Sequence, residues 1–154
     1  MGKQILKGWV TTNNNPCAGT NERYLLKEKV KEIKNCHENR ALHMLICNAL
    51  HALGADDITT EEEYESGISA KYHLDNVEVQ IFSSVERTSL EDIAKNVVLK
   101  SMGVLDFEEG WYGWSSFTIE GFETHTFKLG GHNILDIIRQ LEGKYMYITI
   151  DKVK

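Results

Sequence analysis

Proline is almost missing from this chain: there is one, Pro16, in 154 residues. No low-complexity tract accompanies it, so nothing in the sequence reads as a flexible linker or a disordered tail. Long apolar runs are missing as well, and none approaches the length that spans a bilayer. Met1-Gly2-Lys3-Gln4 lacks the apolar core of a secretory signal. Cysteine is scarce. Cys17, Cys36 and Cys47 cannot all pair with one another within the chain, and Cys47 falls in an apolar helical run, where a thiol behaves as a small hydrophobe. These features predict a reduced, cytoplasmic protein without a membrane partner.

A basic excess is also lacking. Lys+Arg number 17 against 23 Asp+Glu, a formal charge of −6, which disfavours non-specific grip on a nucleic-acid backbone. Neither the Rossmann nor the P-loop glycine spacing is present. There is no nucleophile elbow, no His-Glu-x-x-His and no Ser-x-x-Lys. The sequence therefore assigns no catalytic residue, no metal site and no cofactor.

What is present is ordinary globular material, 42% hydrophobic and 26% charged, enough for one domain over 1–154. Residues 4–11 read as a strand, with turn chemistry from Asn13 to about Asn21. Tyr24 to Lys34 fits helical spacing through Leu26, Val30 and Ile33, and Tyr24, Leu26 and Val30 also fit part of a strand alternation; helix is the preferred reading. Asn39 to Leu53 places Leu42, Leu45, Ile46, Ala49, Leu50 and Leu53 on one helical face, stopped by Gly54. Thr60 with Glu63 has capping-box spacing. Ile68 to Ser83 alternates as a hairpin about an Asp75-Asn76 turn, with Leu74 opposite Val77 and Tyr72 opposite Val79. Ser89 starts a helix burying Leu90, Ile93, Ala94, Val97 and Val98 and ending at Gly103. Ser115–Glu120 and Thr124–Leu129 read as strands, with a bulge or turn at Gly121. Asn133 caps a helix burying Ile134, Ile137, Ile138 and Leu141, stopped by Gly143, and Met146, Ile148 and Ile150 form the core face of a closing strand. This order predicts an α+β fold, a mainly antiparallel sheet with three to four helices packed on one face.

Three groups of residues carry candidate chemistry. Trp111, Tyr112 and Trp114, between Gly110 and Gly113, form an aromatic loop suited to stacking on a base or anchoring an interface. Gly130, Gly131, His132 and Asn133 join a strand to a helix, where backbone N–H groups and the helix dipole favour an anion. Arg87 and Arg139 are available to neutralise its charge. On the 39–53 helix, Arg40, His43, Cys47 and His51 lie opposite the leucines, and i, i+4 pairs there have metal-ligand spacing. The same face equally suits packing on a second element, or a homo-oligomer contact. Asp57 with Glu78 loosely matches the acidic set of metal-dependent nucleases.

The run Leu129-Gly130-Gly131-His132-Asn133-Ile134-Leu135, with Leu141-Glu142-Gly143-Lys144-Tyr145, resembles the C-termini of small uncharacterised bacteriophage proteins, over about the last forty residues from Ser115. The resemblance implies a phage-encoded accessory protein acting in the bacterial host cytosol. Such proteins bind host proteins or nucleotide signals of antiviral defence. The expectation is a non-catalytic binding protein that captures a nucleotide-like ligand or a host defence protein. Trp111, Tyr112 and Trp114 would stack, and Gly130 to Asn133 would cradle phosphate. The rivals are a divalent-metal nuclease or phosphodiesterase using Asp57 and Glu78, and a protein–protein inhibitor with no small ligand.

Overall fold

The computed structural model describes residues 2–12, 24–27, 39–112 and 121–153. Its strands are β1 (Gln4–Thr12), β2 (Tyr24–Lys27), β3 (Asn39–Ala41), β4 (Ile68–Ser84), β5 (Val97–Tyr112), β6 (Gly121–Leu129), β7 (His132–Asn133) and β8 (Tyr145–Lys152). Its helices are α1 (Leu42–Ala52), α2 (Glu61–Glu65), α3 (Leu90–Ile93) and α4 (Ile134–Gln140). Among the described residues the strands form one sheet in the order β3-β2-β1-β8-β4-β5-β6-β7, antiparallel throughout. The fold is α+β. Two meanders, β1-β2-β3 and β4-β5-β6-β7, are joined by β8 between β1 and β4. No helix in the described residues is long and apolar enough to cross a membrane.

Helix α1 lies against β1, β2 and β3 and also against β6. β1 and β6 are four places apart in the sheet. At a strand spacing of about 4.8 Å that span is roughly 19 Å, and α1, about 16 Å long, covers the inner face across it. The inner face of the sheet carries Val77, Val79 and Ile81 from β4, Leu105 and Phe107 from β5, and Ile148 and Ile150 from β8, packed on Ile46 and Leu50 of α1 and Ile138 of α4.

The opposite face has its own small core. Phe82, Tyr145 and Tyr147 pack with Ile93 and Leu90 of α3 and with Trp9. Tyr145 stands edge-on to both Trp9 and Tyr147, with ring centroids 5.3 and 5.6 Å apart. Tyr147 also donates its hydroxyl to the Thr88 carbonyl at 3.1 Å. β8 is therefore buried on both faces from Tyr145 to Ile150. Helices on one face describes α1 and α4; α3 sits on the other.

Several elements differ from the sequence reading. Tyr24–Lys27 is a strand held between β1 and β3, where a helix was expected, and residues 28–34 lie outside the described residues. The 39–53 helix starts only at Leu42, because Asn39–Ala41 pairs with β2. The predicted hairpin is one strand: β4 runs unbroken from Ile68 to Ser84, paired with β5 along its length. Leu74 faces Leu105 and Val77 faces Gly103, so Asp75 and Asn76 together oppose Val104 alone as a bulge, with Asn76 at φ +55°. A bulge and a two-residue turn both return Val77 to the face of Leu74, so alternation cannot separate them.

The helix predicted from Ser89 to Gly103 covers four residues before β5 begins at Val97. Ser89 caps it as expected, accepting from the Asp92 N–H, yet Val97 and Val98 are exposed. β5 also continues through Trp111 and Tyr112, which pair with Phe122 and Gly121 where a loop was expected. Gly110 is there for packing: a Cβ would lie 2.1 Å from the Gly67 carbonyl oxygen. Residues 115–120 lie outside the described residues, and β6 begins at Gly121 with its irregularity at His125. The capping box of Thr60 and Glu63, the Asn133 cap of α4 and the left-handed Gly54 and Gly143 stand as read.

Candidate functional site

Helical spacing sets Cys47 and His51 one turn apart on the flank of α1. Alternation along β4 places Tyr72 between Ala70 and Leu74 on the inner face, all three buried. The same alternation on β5 takes Leu105, Phe107 and then Glu109 inward. Tyr72 is level with Phe107, rings 6.2 Å apart, and Phe107 meets Phe127 edge-on at 6.0 Å. Glu109 is level with Thr124, which is 7% exposed. Polar groups thus gather at one end of an inner face that is apolar along most of its length.

Two of these groups are bonded to each other, and Cys47 and Glu109 lie beside them. Tyr72 Oη and His51 Nε2 are 2.8 Å apart, with the rings edge-on at 5.4 Å. The Cys47 thiol lies near the Glu109 carboxylate and the Tyr72 hydroxyl, and both bear on its ionisation. Burial, and then the charge of Glu109, push the thiol far above its ordinary range, so Cys47 stays protonated. Burial also carries the Tyr72 hydroxyl up to about 12, with the charges of Asp57 and Glu109 adding to it. A thiol and a phenol held neutral are hydrogen-bonding groups, not nucleophiles. Glu109 Oε2 is shut off from solvent, whereas His51 is exposed and marks the rim.

Asp57 lies just beyond α1. Burial works against its charge, but hydrogen bonds from the Thr59 hydroxyl, the Thr59 N–H at 2.9 Å and the Lys71 N–H at 3.2 Å outweigh this and hold it below the usual carboxylate range. With Glu109, it gives this end of the interior a negative bias.

No protein-family model, curated protein or solved structure matches the chain.

The residues singled out from sequence are dispersed. Trp111 and Tyr112 lie at the end of β5, next along the strand from Glu109 and Gly110, and Trp114 lies outside the described residues. Gly130 is at the other end of the same ladder, its N–H donating to the Val104 carbonyl at 2.9 Å. From Val104 to Trp111 is roughly 20 Å at the usual strand rise. One small ligand does not bridge the two. Gly131 and His132 are exposed, and the Asn133 side chain is engaged in capping, accepting from the Leu135 N–H at 3.2 Å. Arg139 lies 3.5 Å from Asp136 on the surface of α4, and Arg87 is exposed beyond the end of β4.

Asp57 and Glu78 do not converge either. Asp57 is bonded beside Lys71, and Glu78 lies roughly 20 Å further along β4, accepting from Gln80 at 3.0 Å. No group of three metal-binding side chains occurs among the described residues. Of the α1 candidates, His51 and Cys47 are engaged by Tyr72 and Glu109, and the His43 side chain lies outside the described residues. Sequence reasoning missed Tyr72, which was counted as apolar, and Glu109. The signal for Glu109 was its phase, two residues beyond Phe107 on the core face.

Proposed function

We propose that this chain is a non-catalytic binding protein that captures a nucleotide-like small molecule, with the base held at the polar end of the sheet interior. The observation that carries this reading is the His51–Tyr72 pair, 2.8 Å apart, with Cys47 and Glu109 beside it. It fixes donors and acceptors beside aromatic rings and keeps its thiol and phenol neutral, which suits recognition more than bond making. Trp111 and Tyr112 follow on the same strand, and the stacking role read for them and Trp114 from the sequence belongs to this proposal. The turn from Gly130 to Asn133 belongs to a different part of the molecule and is left out of the base site.

The C-terminal resemblance to bacteriophage accessory proteins supplies the setting: sequestration, in the bacterial cytosol, of a nucleotide signal used in defence. The test is native mass spectrometry after exposure to a bacterial lysate, compared with the denatured mass. A retained small molecule with nucleobase absorbance is expected, and the same spectrum reads the oligomeric state. A Trp111→Ala, Trp114→Ala double variant that folds and retains the molecule in full would sink the reading. A chain that retains one host protein and no small molecule would replace it with protein–protein inhibition.

A further inference from the structure

Strand β5 outruns its partner β6. The pairing with β6 begins at Leu105, level with Leu129, so among the described residues Val97 to Gly103 is paired with β4 on one side only. The Gly130 N–H donates to the Val104 carbonyl at 2.9 Å, and this bond fixes the phase of the edge. The N–H and C=O of one residue leave an extended strand on the same side, and the side alternates along the chain. Lys100 and Met102 therefore direct both groups away from β4, and no hydrogen bond among the described residues meets any of the four.

Such an edge is a template for another strand. Exposed apolar side chains line it, with Met102 63% and Val98 40% accessible. Between them Lys100 is exposed, with no ion-pair partner among the described residues. Glu78, diagonal to it on β4, accepts from Gln80 at 3.0 Å instead. A second copy of the edge does not supply the missing charge. Antiparallel self-pairing about Lys100 sets lysine against lysine, and about Leu99 or Ser101 it sets Lys100 against Val98 or Met102. The next acid along the strand, Asp106, has its edge taken by Lys128 of β6.

We propose that the β5 edge from Val98 to Met102 binds an extended segment of another protein as an added antiparallel strand, with a carboxylate opposite Lys100 and apolar residues two positions to either side. Backbone bonds hold the segment, and Lys100 sets its register and selects for acidic sequence. Met102 is roughly 23 Å along β5 from Glu109, so this surface stands apart from the small-molecule site.

The probe is a blocked five-residue peptide with valine at both ends, glutamate at the centre and threonine between. It is added to the full chain and followed by amide hydrogen exchange read by NMR. In the free chain the Lys100 and Met102 amides should exchange fast, and those of Ser101 and Gly103, directed to β4, slowly. Saturating peptide should slow Lys100 and Met102 at least about tenfold. Lysine in place of the central glutamate should weaken binding about fivefold, and Lys100→Glu should reverse the order of the two peptides. Thermal melts confirm that this surface variant is folded. Slow exchange at Lys100 and Met102 in the dilute free chain means that the edge is already covered, and overturns the proposal. Protection that rises with protein concentration alone gives the edge to a second copy and overturns it as well. A peptide that leaves both amides fast, or binding indifferent to both charge reversals, does the same.

Discussion

Two glycines that look alike in sequence have opposite roles. A Cβ at Gly110 would collide with the Gly67 carbonyl at 2.1 Å, with the Ile68 backbone at 3.0 Å behind it. Both obstacles are backbone and cannot swing aside. Gly110→Ala should lose about 3 kcal/mol or more of stability, read from urea midpoints. Gly131 has open space around it and no left-handed φ, so Gly131→Ala should stay within about 0.5 kcal/mol of the parent. His73 offers a pH-dependent case. Its Nδ1 lies 2.7 Å from Asp106 and its Nε2 3.5 Å from Asp75, and the bond to Asp106 raises the imidazole above its ordinary range. A folded-state value above the unfolded one stabilises the fold below the unfolded value, and that gain is lost as pH rises through the folded value. The melting temperature of the parent should therefore fall across the imidazole range more than that of Asp106→Asn. The difference should be small and should shrink with salt, because the pair is half exposed.

At the scale of elements, β4 makes the sharpest prediction. Asn76 sits in the bulge at φ +55°, and its carbonyl accepts from the Val153 N–H at 2.7 Å. Asn76→Val should cost about 1–2 kcal/mol, since a β-branched residue is poorly accommodated there, and Asn76→Gly about nothing. Equilibrium unfolding of the pair separates the backbone effect from the loss of a side chain. This strand also marks where the sequence stopped being legible. β1, β6, α4 and the inner face of β8 were readable because their periods are clean and their caps conventional. The hairpin reading failed because the bulge preserves the same phase. The helix from Ser89 failed because Leu90, Ile93, Ala94, Val97 and Val98 satisfy helical spacing, while the chain leaves the helix after one turn and the two valines enter a strand. The polar end of the interior was unreadable for another reason: nothing local brings α1 over Tyr72 and Glu109. Only the packing of α1 across the sheet does that.

For the whole molecule, the central strand carries the most. Ile148 is fully buried on the inner face, and Tyr147 and Tyr145 fill the outer one, so β8 belongs to both cores. Ile148→Ala should cost about 3 kcal/mol and lower the stability of the sheet as one cooperative unit, with tryptophan fluorescence and far-ultraviolet dichroism losing signal together. Non-coincident transitions would mean that the two meanders unfold separately.

The position of β8 also sets an order of events during synthesis. Of the eight described strands, the one that lies between the two meanders is the last to leave the ribosome. Until Tyr145 to Lys152 emerges, β1 and β4 each present an open edge, and the two meanders cannot join into one sheet. A nascent chain stalled in the segment of α4 would be two sticky ribbons tied by a helix, a natural client for chaperones and a hazard for neighbours. The last few codons of this strand therefore decide whether those two edges are paired or left open.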